Sequence, residues 1–98
     1  MKSASTTAKV KKRRVTFSLD APGAAAVGLA GEFNGWDPSA HPMKRDGEGR
    51  WRRQVLLPEG RFEYKFVVDH RWQTDPANDR YCPNGLGSLN SVLEVATK

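Results

Sequence analysis

A single cysteine, Cys82, occurs in the 98 residues, so no internal disulfide can form. Lone thiols suit a reducing compartment, and a cytoplasmic setting is expected. The two histidines, His41 and His70, are neither close to Cys82 in sequence nor set in a partner motif, which argues against a cysteine nucleophile. No apolar run approaches the length of a membrane span. The opening MKSASTTAKVKKRR is basic but has no apolar core, so no secretory signal is read in it. No window shows sustained helical spacing, there is no internal repeat, and no cofactor or metal is expected. A chain this short holds one thin core between two layers, without a deep active-site cavity beside it.

The formal net charge is +5, from 16 basic and 11 acidic residues, but it is unevenly placed. Residues 1–14 carry six of the basic residues and no acid, which leaves the rest of the chain at −1. The excess positive charge is therefore read as a tail property, with residues 1–13 a disordered basic leader and residues 14–98 the folded domain. Nucleic acid is an unlikely partner on this reading, apart from non-specific contact by the tail.

From Arg14 onward the chain becomes short alternating segments broken by turn residues. RRVTFSL places Val15, Phe17 and Leu19 on one face. AAVGLAG does the same with Val27 and Leu29, and RWRRQVLL with Trp51, Val55 and Leu57. Arg53 shares that apolar side by parity and is expected near a sheet end, where its head reaches water. RFEYKFVV is the clearest strand, with Phe62, Tyr64, Phe66 and Val68 pointing one way and Lys65 and Val67 the other. RWQT and NSVLEV supply the last strands, with a long loop expected from Asp75 to Ser88. The pattern predicts an all-β antiparallel sandwich.

Three tryptophans then need homes. Trp51 belongs to the core. Between Val68 and Arg71 only Asp69 and His70 remain, a two-residue hairpin loop of type I′. Val67 then faces Trp72, so Trp72 lies on the outer face with Lys65, as an exposed ring beside an exposed lysine. Trp36 sits in GEFNGWDP, a stretch of loop chemistry that nonetheless carries two large rings. Exposed rings in pairs suggest a binding platform. The polar groups expected nearby are largely neutral (Thr74, Asn78, Asn84, Ser88, Asn90), which leans towards a neutral sugar over a polyanion.

The stretches LAGEFNGWDP, HPMKRDGEGRW, LPEGRFEYKFVVDHRWQTDPAN and NGLGSLNSVLEV closely resemble the glycogen-binding domain of the AMP-activated protein kinase beta subunit. They also resemble the early-set modules of branching enzymes and isoamylases, grouped as carbohydrate-binding module family 48. The resemblance runs from about residue 14 to 96 and implies an immunoglobulin-like (early-set) sandwich. It also implies a sugar site at Trp36, Lys65, Trp72, Leu86, Ser88 and Asn90. Trp36 and Trp72 would stack on glucose rings, Leu86 would project through or beside the curved chain, and Lys65 and Asn90 would bond hydroxyls. Ser88 stands where a threonine is common. VDH replaces the usual VDG, a departure that bears on the hairpin and on the tilt of Trp72.

The expected function is a free-standing, non-catalytic module for α-1,4-linked glucan such as glycogen or maltooligosaccharide. The alternative is a protein-interaction or targeting module of glycogen metabolism that uses the same aromatic face. A glycoside hydrolase would need two carboxylates across a cleft. Asp37, Asp69, Asp75 and Glu63 fall instead in turns or on exposed strand faces, and no catalytic residue is assigned.

Overall fold

The structure is a computed structural model that describes residues 12–96. Eight strands follow in chain order: β1 Lys12–Asp20, β2 Val27–Gly31, β3 Lys44–Arg45, β4 Arg50–Pro58, β5 Gly60–Val68, β6 Arg71–Gln73, β7 Tyr81–Pro83 and β8 Leu89–Val95. One sheet has the order β1-β4-β3. The other has the order β2-β5-β8-β7, with β6 added beside β5. Every ladder is antiparallel. The sole helical element among the described residues is a 3₁₀ turn at Glu32–Asn34. The fold is the all-β antiparallel sandwich expected from the alternation, of the immunoglobulin-like early-set type that the resemblance implies.

Period-2 patterning builds the core. Phe17, Leu19, Trp51, Val55 and Leu57 from the first sheet meet Leu29, Tyr64, Phe66 and Val95 from the second. Phe17 packs edge-on against Tyr64, with ring centroids 5.0 Å apart. Leu29 and Phe66 are fully buried, and burial of each such side chain contributes about 2–3 kcal/mol. The Trp51 indole N–H donates to the Ala21 carbonyl at 2.8 Å, so the ring is buried without an orphan donor.

The strands depart from the sequence reading in three places. First, β1 begins at Lys12, so Lys12 and Arg13 belong to the sheet and not to the leader. Arg13 Nη1 donates to the Ala96 carbonyl at 2.6 Å, tying the two ends of the domain together. The expected disorder of residues 1–11 lies outside the described residues. Second, Arg53 is mid-strand, paired with Phe17, and not at a sheet end. Its head escapes sideways because β3 begins only at Lys44, opposite Arg52, and leaves the edge beside Arg53 uncovered, and it donates to the Pro42 carbonyl at 3.2 Å. Third, β7 is a strand within the Asp75–Ser88 segment read as a loop, and β3 is a strand that no alternation marks. Both are two or three residues long, too short for a periodic signal.

The Asp75–Ser88 connection is anchored from inside. Tyr64 Oη donates to Asp75 Oδ2 at 2.7 Å, and the Asp75 N–H donates to Ser91 Oγ at 2.8 Å. Asn78 donates to the Val92 carbonyl at 2.9 Å and to Tyr64 Oη at 3.1 Å. Burial pushes the Tyr64 phenol well above its ordinary value, so it remains a protonated donor. Asn78 thus serves this buried network and not an outer binding face.

Candidate functional site

The site begins with the Gly31–Pro38 loop. Phe33 turns inward and lies against Phe17 and Phe62, with centroids 5.6 and 6.2 Å away. A Cβ on Gly31 would stand 2.7 Å from the Phe33 ring and 2.9 Å from the Glu63 carbonyl, so only glycine fits beneath it. Asn34 staples the loop. Its Oδ1 accepts from the Gly31 N–H at 3.0 Å, and its Nδ2 donates to the Leu29 carbonyl at 2.9 Å and to His41 Nδ1 at 2.8 Å. Burial, aided by the Arg53 charge, lowers the His41 pKa and keeps the imidazole a neutral acceptor. With Phe33 and Asn34 fixed, the chain turns through a left-handed residue at Trp36 (φ 63°), and the Trp36 N–H donates to the Gly31 carbonyl at 2.9 Å. Of the two rings in this loop, one plugs the core and the other is left half-buried at the surface.

The second ring comes from the β5–β6 hairpin. Asp69 and His70 have φ of 49° and 72°, as a type I′ turn requires, so the histidine in VDH preserves the two-residue loop. Val67 faces Trp72 in the ladder, and Trp72 is exposed, at 49%. Asp69 Oδ1 accepts from the Ala25 and Ala26 N–H groups, both at 2.9 Å, which pins the hairpin to the β1–β2 connection.

Lys65 lies on the Trp72 face, as its parity demands, but it is buried at 8%, not exposed. It sits opposite Ala30, at the point where β5 leaves β8 and takes up β6. Its amine donates to Ser88 Oγ at 3.1 Å. Ser88 Oγ also accepts from Asn84 Nδ2 at 2.7 Å. With both lone pairs used, the Ser88 hydroxyl proton is free to donate outward.

Asn84 organises the loop between β7 and β8. Its Oδ1 accepts from the Leu86 N–H at 2.8 Å and the Ser88 N–H at 3.3 Å, while its Nδ2 reaches Asn90 Oδ1 at 3.3 Å. Leu86 is raised between two left-handed glycines, Gly85 and Gly87, and is 88% exposed. An apolar side chain so presented is no core plug. Asn90 is buried and donates to Glu63 Oε1 at 2.9 Å, and Arg61 closes the chain on Glu63 Oε2 at 3.0 Å. The Asn90 bond, with help from Arg61, holds the Glu63 carboxyl below its ordinary range.

All six residues singled out in the sequence, Trp36, Lys65, Trp72, Leu86, Ser88 and Asn90, line one groove of about 640 Å³ on the outer face of the five-stranded sheet. Glu32, Glu63, Pro83 and Asn84 complete the lining. Of these, Glu63 was legible by parity with Lys65, and Asn84 by its place in the NG turn before Leu86. Thr74 and Asn78 do not line it. The carboxylates weighed for hydrolysis are engaged separately: Asp37 by Ser39, Asp69 by the β1–β2 backbone, Asp75 by Tyr64 and Glu63 by Asn90.

An early-set sandwich with a ring-lined groove on one outer face has the build of a carbohydrate-binding module, a unit without catalytic chemistry of its own. The family model described as the glycogen recognition site of AMP-activated protein kinase matches residues 14–98, and the chain belongs to that family. It is 36% identical over 73 residues to 5'-AMP-activated protein kinase subunit beta-1 of Sus scrofa, a match covering 74% of this chain and 57% of that protein. The human subunit beta-1 is also 36% identical over 73 residues, covering 74% of this chain and 26% of the human protein. The 1,4-alpha-glucan branching enzyme GlgB 2 of Xanthomonas campestris is 37% identical over 54 residues, covering 55% of this chain and 7% of the enzyme. The chain thus spans between about half and a small fraction of the length of these relatives. Among the described residues no helix is long and apolar enough to cross a membrane.

Proposed function

We propose that the groove binds an α-1,4-linked glucan, glycogen or a maltooligosaccharide, with Trp36 and Trp72 stacking on glucose rings. The observation that carries this reading is the convergence of both surface tryptophans, Leu86 and the Lys65–Ser88–Asn90 polar set on one groove. Flat rings match the apolar C–H faces of pyranoses, and donors held between them match the hydroxyl rim. The polar groups are already fixed by one another yet keep spare donors: two N–H bonds on Lys65, the hydroxyl proton of Ser88 and one N–H on Asn90. Leu86, proud of the surface, supplies an apolar contact along the curved chain. Preorganised donors cost little ordering entropy on binding. A single small site binds weakly, and the many equivalent segments of a glycogen particle raise its avidity.

The test is a maltoheptaose titration followed by tryptophan fluorescence. The parent chain should show a saturable change, and Trp72→Ala should weaken it at least about tenfold, or about 1.4 kcal/mol. A Trp72→Ala chain that binds as well as the parent sinks the reading. A protein partner held by the same rings and undisturbed by maltoheptaose would replace it with the interaction-module alternative.

A further inference from the structure

The opposite face of the sandwich carries charge where the glucan groove carries rings. β3 pairs with Arg52 and Trp51 and then ends. Upstream of it the chain deserts β4 for the other sheet, where the Met43 N–H donates to the Val27 carbonyl at 2.9 Å and Pro42 bridges Gly28. The edge of β4 beside Arg53 and Gln54 is therefore left without a neighbouring strand. A notch of about 460 Å³ results, lined by Thr16, Lys44, Arg52, Arg53 and Gln54.

The lining has three cations, a hydroxyl and an amide, and no carboxylate. The ion pairs among the described residues are Arg61–Glu63 and Arg80–Glu94, so none of the three cations is paired. Asp46 feels the Arg52 charge but does not line the notch, and its Oδ1 is taken up by the Glu48 N–H at 2.8 Å and the Arg50 N–H at 3.1 Å. Like charges gathered round a concavity repel one another and concentrate anions there. Guanidinium forks present paired N–H donors at the spacing of two phosphate oxygens. No aromatic ring lines the notch, so nothing there stacks on a nucleic-acid base. The positive charge is not a continuous stripe either. Lys12 and Arg14 share the outer face, but Arg14 is paired with Leu56, which is 57% exposed and, with Thr16 and Gln54, separates them from the notch cations.

We propose that this notch is an anion site for a compact oligophosphate group, held by Lys44, Arg52 and Arg53, with Thr16 and Gln54 as neutral donors. It is independent of the glucan groove, on the other sheet, and would let the domain hold a small phosphate-bearing ligand and a glucan together. The test is calorimetric titration of the full chain with tripolyphosphate at about 0.15 M salt, where exposed charges more than a Debye length apart are screened. Saturable one-to-one binding is expected. The pair Lys44→Ser and Arg52→Ser should weaken it at least tenfold, and the equal charge change Lys12→Ser and Arg14→Ser less than about twofold. Thermal melting of both double variants checks that each is folded. Absence of saturable binding, or equal weakening by both pairs, overturns the proposal. So does displacement of tripolyphosphate by duplex DNA in a manner that depends on Lys12 and Arg14, which would assign the face to an extended polyanion.

Discussion

The two outer faces of this sandwich are built on the same alternation and put to opposite use. On the five-stranded sheet the outward side chains hold one another: Lys65 on Ser88, Ser88 on Asn84, Asn84 on Asn90, Asn90 on Glu63, Glu63 on Arg61. On the three-stranded sheet the outward cations Lys44 and Arg52 have no ion-pair partner. The first arrangement fixes its polar side chains in place, the long Lys65 included, which suits a neutral ligand recognised by geometry. The second leaves long charged side chains free, which suits an anion recognised by field. A shared core separates them, because Tyr64 and Phe66 alternate with Lys65 on β5, and Trp51 and Val55 alternate with Arg52 and Gln54 on β4. The difference teaches that the ring-lined face depends on how its loops are braced, while the basic face depends on where a short strand leaves the edge of β4 open.

That dependence is most open to attack at Gly31. Gly31→Ala drives a methyl into the Phe33 ring at 2.7 Å and the Glu63 backbone carbonyl at 2.9 Å. Neither can be displaced freely, since Phe33 is wedged between Phe17 and Phe62. A loss of about 2–3 kcal/mol in stability is expected from denaturant melts, as for other overpacked sites. The loop carrying Trp36 moves with Phe33, so maltoheptaose binding should fall as well. Tripolyphosphate binding on the other sheet should not change at temperatures where the variant is folded. Equal damage to both ligands would break the contrast between the faces.

A smaller effect comes from pH. The Glu63 carboxyl lies below its ordinary value of 4.5, held there first by the Asn90 amide and then by Arg61. A carboxyl with a depressed folded pKa contributes stability that is fully present above its unfolded value and is lost as pH falls through the folded one. The window therefore lies below about pH 4.5. Stability of the parent should decline with acid in that window, and Glu63→Gln, which cannot ionise, should decline less steeply. Urea melts at neutral and acid pH compare the slopes. Maltoheptaose binding by the parent should hold down to the top of that window, because the Glu63–Asn90 bond that orients the groove is intact above it.

Much of the front face was legible because it follows from parity. Once Tyr64 and Phe66 are assigned to the core, Lys65 must face out. Once Asp69 and His70 are the loop, Val67 must face Trp72. Parity says nothing of how deeply a residue is covered, and this is why Lys65 was expected exposed and is buried. The loops around it, with their rings, wall it in, and no local pattern encodes that. The bracing was also hidden. Asp75 acts through Tyr64 and Ser91, which only the packed strands bring to it, while Asn34 and Asn84 bond within their own loops, and as isolated letters all three read only as turn formers. The excess positive charge was read as a tail property for a related reason. Lys12 and Arg13 were grouped with the leader by composition, and the notch at Arg53 exists because a two-residue strand stops short, too brief to register in any periodicity.

The smallest effect, and the one of opposite sign, is expected at His70. This residue holds φ of 72°, a region that L-residues with a Cβ enter at a cost of about 1 kcal/mol. Histidine tolerates it better than most, but glycine adopts it without that penalty. Glycine also loses more conformational freedom on folding, which offsets part of the gain. The His70→Gly chain should therefore be more stable by roughly 0.5 kcal/mol, read as a small rise in denaturation midpoint at unchanged slope. Asp69, whose carboxylate receives the Ala25 and Ala26 N–H groups, continues to fix the hairpin against the rest of the domain. The Trp72 ring should then keep its place opposite Val67, and maltoheptaose affinity should change less than about twofold, or 0.4 kcal/mol. A gain in stability coupled to a loss of affinity would mean that His70 sets the tilt of Trp72 through its strained backbone. The front face would then be tuned at the turn as well as braced from its loops.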